Sequence, residues 1–308
     1  MNNFKSSSYL FFLVVVVLCS CSSRHNSDKP NVLFVIFDDL NDYVGAYDGH
    51  PQTVTPNLDN LANEGIRFTN AHCNAAWCAP SRVSLLNGFY PHTTQTYRGQ
   101  TIRETKAFSN VKNIFQHFRE HGYNTFGTGK VFHNGHEEDV WTDFGVPTNY
   151  GPWPFKNGTF AIHPDMPGEY AKRTDSSQFL SFSRLSNIPN ENGYQGWYSD
   201  NTPWEPSDAK PFQYKSVSDR DKMPDERSAD FAVNVLNQEQ NKPFVLAVGI
   251  VRPHTPYYLP DEYFARFDTL DISFPPIKEN DLEDCVPDLA LFPKHGAKRK
   301  LEHILESW

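Results

Sequence analysis

Asn31-Val32-Leu33-Phe34-Val35-Ile36-Phe37-Asp38-Asp39 is the stretch on which the fold turns. Residues 31–37 are a continuous β-branched and aromatic run with no polar alternation, the pattern of a strand buried on both faces in a largely parallel sheet. The run stops at two adjacent carboxylates. The C-terminal end of a central strand is where open α/β sheets bind ligands. Two carboxylates there repel each other unless one is protonated or a cation neutralises them. A hard divalent ion such as calcium, which takes oxygen ligands in loose geometry, is one account of the pair; a simple turn signal is the other.

Two further apolar runs end in charged or imidazole side chains. Residues 243–250 (PFVLAVGI) read as another buried strand, ending in Val251-Arg252-Pro253-His254. Residues 113–121 read as an amphipathic helix with Ile114, Phe115 and Phe118 inward, closed by Gly122. The strand that follows, residues 123–127, leads into Thr128-Gly129-Lys130-Val131-Phe132-His133. Residues 226–239 read as a helix with Phe231, Ala232, Val235 and Leu236 facing the core. Thr55-Pro56 opens a helix that carries Leu58, Leu61 and Ala62 on one side and stops at Gly65. Residues 66–71 then read as a strand that delivers the chain to Cys78.

Cys78-Ala79-Pro80-Ser81-Arg82 runs straight into Val83, Leu85 and Leu86. Pro80 is tolerated in a first helical turn, which places Cys78 at or just before a helix start. Unpaired N–H groups and the positive dipole end favour anions there and depress a thiol pKa. Arg82 can bring a forked cation to the same place. Cys73 and Cys78 could equally pair in a short disulfide.

The chain has 308 residues, 38% of them apolar, which suffices for one large α/β domain or two modest ones. A net charge of −9 argues against a nucleic-acid binder, so any anion must be met by a local cluster. Residues 1–21 carry Lys5, an apolar run too short to span a bilayer and then Cys19-Ser20-Cys21, the form of an export segment. Residues 22–30 form a polar tether, and residues 31–308 form the body. The region from Asp143 to Lys222 is irregular, and its Trp153, Trp197 and Trp204 either stack on sugar rings or fill local cores.

The Cys78–Arg82 segment with Leu86 and Gly88 resembles the type I sulfatase signature C-x-P-S-R-x-x-x-L-x-G, with Asn87 where the family usually has Thr. Gly122-Tyr123 through Gly129, Lys130 and His133 resembles the second signature. The two residues between Lys130 and His133 are similar to the iduronate-2-sulfatase branch. Pro253-His254-Thr255-Pro256 resembles the family's P-H-x-P, and Asp38-Asp39 its calcium-binding strand end. Leu18-Cys19-Ser20-Cys21 resembles a lipobox, which would make Cys21 a lipid-anchored N-terminus of a periplasmic or outer-membrane bacterial protein. The resemblance covers residues 30 to 265.

What the resemblance implies is an α/β fold of the alkaline-phosphatase type, a mostly parallel mixed sheet flanked by helices. It implies calcium held by Asp38, Asp39 and the modified Cys78, and formylglycine formed from Cys78 by a formylglycine-generating or anaerobic sulfatase-maturating enzyme. Cys78, Arg82, Lys130, His133 and His254 would act on a sulfate ester of a polysaccharide or glycosaminoglycan. One departure stands out: residues 255–308 contain neither D-H-G nor D-N-G, so the catalytic domain reads as unfinished at its C-terminus. An inactive fragment or glycan-binding remnant, and a phosphodiesterase on the same fold, are the rival readings.

Overall fold

The computed structural model describes residues 29–99, 102, 108–133, 135, 137–165, 182–199, 209–267 and 271–273. The export segment with Cys21, and Trp204, lie outside them, as do residues 294–300, which the sequence reads as a basic patch, and 298–308, which it reads as a helix. In chain order the first strands are β1 (Val32–Phe37), β2 (Asn124–Gly129), β3 (Asp143–Pro147), β4 (Trp153–Lys156), β5 (Thr159–Phe160) and β6 (Phe182–Arg184). They are followed by β7 (Tyr194–Ser199), β8 (Lys210–Phe212), β9 (Tyr214–Ser216), β10 (Asp219–Arg220), β11 (Phe244–Ile250) and β12 (Tyr257–Leu259). The helices are α1 (Pro56–Glu64), α2 (Cys78–Asn87), α3 (Pro91–Thr94), α4 (Ile114–Glu120), α5 (Pro224–Asn237) and α6 (Asp261–Ala265).

The principal sheet runs β1-β11-β2-β3, and every neighbouring pair is parallel. All four strands therefore bring their C-terminal ends to one edge. Because side chains alternate along a strand, β11 serves two layers at once. Val245 and Ala247 join Leu86 of α2, Phe115 of α4 and Trp141 on one face. Phe244, Leu246 and Val248 join Ala232 and Val235 of α5 on the other. The result is helix, sheet, helix, the layering expected for an α/β fold.

Two glycines let the strand tips close up. Gly129 adopts φ +69°, and a Cβ on Gly249 would stand 2.0 Å from the Lys130 carbonyl carbon. Larger residues at either position would displace Lys130 from the sheet edge.

Several sequence expectations need correction. Residues 66–71 form no strand; they pair with no strand among the described residues, and Ile66 and Phe68 are exposed. Leu61 on α1 also faces solvent, as do Ile114 on α4 and Leu236 on α5. The helix of residues 113–121 is otherwise as read, opened by an Asn113–Gln116 capping box. The region read as irregular contains a four-stranded sheet in the order β5-β4-β7-β8, antiparallel throughout. Its strands have two to six residues, too short for a clear period against the surrounding Pro and Gly. Trp153 and Trp197 are buried in its core with Phe155, Leu185 and Tyr258, and the Trp197 indole donates to the Leu185 carbonyl at 2.9 Å. They are core residues, not exposed stacking platforms.

Candidate active site

Three strand tips and one helix start meet at the C-terminal edge of the principal sheet. Asp38 follows β1, its N–H bonded to the Ile250 carbonyl at 3.0 Å, and its carboxylate is almost wholly buried. One carboxylate oxygen accepts from Arg82 Nη2 at 3.0 Å and the other from Lys130 Nζ. Arg82 sits one turn into α2, where Nη1 donates to the Val131 carbonyl at 3.0 Å and to the Lys130 carbonyl. Lys130, the residue after β2, has no exposed surface. A buried carboxylate between two buried cations is a linked unit in which each charge needs the others.

The electrostatics follow from this packing. Burial opposes ionisation of Asp38, but Lys130 and Arg82 outweigh it and hold the carboxyl below its usual range. Burial likewise works against the Lys130 charge, yet Tyr150, Asp38 and Cys78 keep its pKa above the ordinary lysine value. Cys78 is the first residue of α2, a half-buried free thiol; Cys73 is free as well, and exposed. Its pKa does not fall as a helix start alone would suggest. Burial raises it, and Asp38 and Asp39 oppose the lowering effect of Lys130. An unmodified Cys78 is thus a poor thiolate nucleophile.

Asp39 adopts a left-handed backbone conformation, φ 60°, and its exposed carboxylate lies 3.8 Å from His254 Nε2. His254 Nδ1 is 2.6 Å from the Thr255 carbonyl, so it carries the proton and donates; Nε2 is left to face the Asp39 side of the site. His133 is half-buried in the bend three residues past Lys130.

Tyr150, which the sequence did not single out, stands between two of these groups. Its ring centroid lies 4.9 Å from that of His254 and 4.9 Å from Lys130 Nζ, a cation–π contact with the ammonium. It lies three residues beyond the end of β3, at the same sheet edge, in a region whose sequence carries no strand signal.

The divalent cation can be tested against this donor set. Calcium takes six to eight oxygens. The described residues bring two carboxylates, and Asp38 has both oxygens engaged by Arg82 and Lys130. Among the described residues no group of three or more His, Cys, Asp or Glu side chains is placed to hold a metal ion. Asp38 and Asp39 are adjacent at the strand tip, but these residues do not fit a complete cation site. For formylglycine the fit is closer: the position requires an unpaired cysteine at a helix start beside cations, and Cys78 is one.

A family profile described as "Sulfatase" matches residues 30–282. A sulfatase of Formosa agariphila is 30% identical over 306 residues, covering 92% of this chain and 53% of that protein. Human iduronate 2-sulfatase is 30% identical over 283 residues, covering 91% of this chain and 45% of the relative. The solved phosphonate monoester hydrolase of Agrobacterium radiobacter superposes with a TM-score of 0.47 at 18% identity, over 80% of this chain and 45% of that one. The chain spans about half the length of the curated relatives it matches. With more than three-quarters of its residues under one family profile and the motif side chains gathered at one sheet edge, the chain belongs to the sulfatase family.

Proposed function

We propose that this chain is the nucleophile-bearing portion of an enzyme that hydrolyses sulfate esters on a sulfated carbohydrate, with the iduronate 2-sulfatases as a model for its substrate. The observation that carries the reading is the placement of Cys78 at the first position of α2 beside the Lys130–Asp38–Arg82 unit. Converted to formylglycine by a maturating enzyme, Cys78 would supply a hydrated aldehyde as the nucleophile. The remaining work falls to side chains in place. The N–H groups that open α2 point at the same spot and favour an anion there. Lys130, bonded to Asp38, lends positive charge to the space beside Cys78. His254, with Nδ1 fixed on a carbonyl, presents Nε2 to accept or return a proton at the departing alcohol. A calcium ion on Asp38 and Asp39 would need donors from outside the described residues, so charge stabilisation is assigned here to Lys130, the helix start and His254.

The test is co-expression with a maturating enzyme, mass spectrometry of the Cys78 peptide and hydrolysis of 4-nitrophenyl sulfate. Conversion of Cys78 with turnover that Cys78→Ala abolishes is the expected result. A thiol that stays unmodified, or turnover that Cys78→Ala leaves intact, overturns the reading. The two-carboxylate donor set favours one second reading, a pocket that binds a sulfated sugar without turning it over. Sulfate binding without hydrolysis would be its signature.

A further inference from the structure

We infer that His117 and His121 form a two-imidazole site for a late first-row divalent metal ion, with copper(II) and nickel(II) as the best fit. The site stands apart from the anion pocket and does not depend on the reading of that pocket.

The two residues are four apart in His117-Phe118-Arg119-Glu120-His121, so they lie one above the other on the same side of α4 at its last turn. Phe115 and Phe118 turn toward the core, and both imidazoles are exposed. His121 is the C-cap, and its backbone N–H donates to the His117 carbonyl at 3.2 Å, which carries the helical turn through it. His121 Nδ1 lies 2.8 Å from that same carbonyl. A carbonyl only accepts, so Nδ1 carries the proton and Nε2 keeps a bare lone pair. Metal-ligating histidines adopt this arrangement, one nitrogen donating to a carbonyl while the other takes the ion.

The ring separation supplies the fit. An ion about 2.0–2.1 Å from an imidazole nitrogen lies roughly 3.2 Å from the centre of that ring. Two rings at about 90° around one ion then stand about 4.5 Å apart, and at a tetrahedral angle about 5.2 Å. The His117 and His121 centroids are 4.4 Å apart with their planes tilted by 40°. That spacing matches two adjacent positions of a tetragonal shell, the geometry of copper(II) and nickel(II), better than the tetrahedral shell of zinc.

Two imidazoles are fewer protein ligands than a closed structural site uses, so water fills the remaining positions. The neighbouring charges are already tied. Lys112 holds Glu120 at 2.6 Å, Lys29 donates to the His121 carbonyl at 2.7 Å, and Arg119 Nη1 donates to the Asp139 carbonyl at 2.8 Å. His121 precedes β2 and Lys130 follows it, and six strand residues at roughly 3.3 Å each put about 20 Å between the two ends. An ion here leaves the anion pocket untouched. By bridging His117 and His121 it pins the last turn of α4, and because it binds the folded chain it raises stability.

The test takes the full chain, stripped with a chelator and carrying no affinity tag, and titrates it with nickel chloride. Diethylpyrocarbonate labelling of each histidine is read by peptide mass spectrometry. The chelate predicts that His117 and His121 become protected together at one midpoint, and that nickel raises the melting temperature. In His117→Asn the midpoint at His121 should rise at least about tenfold, and His121→Asn should do the same to His117, because a single imidazole lacks its chelating partner. Both positions are exposed, so the metal-free variants should melt with the wild type; if one does not, the two midpoints within the wild type still decide. Separate midpoints for the two residues in the wild type, protection of neither, or single-variant midpoints within about twofold of the wild type overturn the inference.

Discussion

Asp38→Asn removes one negative charge from between two buried cations while changing almost no volume. In the wild type, Asp38 is 3% exposed and Lys130 has no exposed surface. With an effective dielectric constant of about 20, each pair at roughly 4 Å is worth about 4 kcal/mol before desolvation is counted. Truncating one partner of a buried pair costs about 3–5 kcal/mol, chiefly because the other charge is stranded. Arg82 keeps two backbone carbonyls and Lys130 keeps its contact with the Tyr150 ring, which places the expectation in the lower part of that range, about 3–4 kcal/mol. At roughly 2–4 °C per kcal/mol for a domain of this size, the melting temperature should fall by about 6–16 °C. The assay is urea and thermal unfolding followed by circular dichroism, with a chelator present so that no cation contributes. Lys130→Met added to Asp38→Asn should cost less than the two single changes summed, by about 1–3 kcal/mol. The pH dependence has a definite sign. The Asp38 pKa is lowered in the folded chain, so its contribution is complete above the unfolded value of about 3.9 and disappears as pH falls through the folded one. Wild type and variant should therefore converge on acidification. A gap under about 1 kcal/mol at pH 7, or one that persists at low pH, refutes the linked-charge account.

A second carboxylate should behave similarly on a smaller scale. Arg220 forks onto Glu226 at 2.6 and 2.7 Å, and the Met223 N–H donates to it at 2.7 Å; burial opposes ionisation, but these contacts hold the carboxyl below its usual range. Glu226→Gln should cost about 1–2 kcal/mol at pH 7, a charge-assisted bond reduced by partial exposure. That penalty should shrink below about pH 4, near the unfolded value, and an undiminished penalty in urea titrations at low pH would count against it. At the other side of the sheet, Leu33 and Val35 of the edge strand β1 are 53% and 45% exposed. An apolar edge invites pairing between chains. Replacing both by Thr should change stability by less than about 0.5 kcal/mol per site and reduce concentration-dependent association in sedimentation velocity; unchanged association would exclude this edge as its cause.

What could be read from the sequence is what strand direction determines. Asp38 and His254 come after the apolar runs of β1 and β11, and Lys130 after the shorter, mixed strand β2; parallel strands must send their ends the same way, so the convergence follows once the strands are recognised. Cys78 was placed by Pro80 and by the apolar spacing after it. Apolar content without a pairing partner misled in residues 66–71, which pair with no strand among the described residues. Tyr150 was illegible for a different reason. It follows a five-residue strand, Asp-Phe-Gly-Val-Pro, whose pairing with β2 shifts between Gly127 and Gly129, so its place depends on a register no local pattern encodes. Trp153 and Trp197 show the limit of composition: a sugar platform and a core residue are the same letter, and only the pairing of Pro154 with Trp197 across two antiparallel strands decides.

The acidic pair at the tip of β1 carries the argument furthest. Asp38 and Asp39 are indistinguishable in sequence, and the inference that two adjacent carboxylates need a cation is sound for a pair facing one way. The fold separates them. Asp38 continues the strand inward and is neutralised by Arg82 and Lys130, whereas Asp39 turns into the left-handed region and faces His254 from the solvent side. The repulsion that called for a divalent ion is thus already relieved by side chains of the same chain. A cation entering here must either displace Lys130 from Asp38 or share its oxygens. Chelated chain titrated with calcium should accordingly bind more tightly once Lys130 is changed to Met, because the internal competitor is gone. Equal or weaker calcium binding by Lys130→Met would mean that the ammonium and the ion do not compete for that carboxylate.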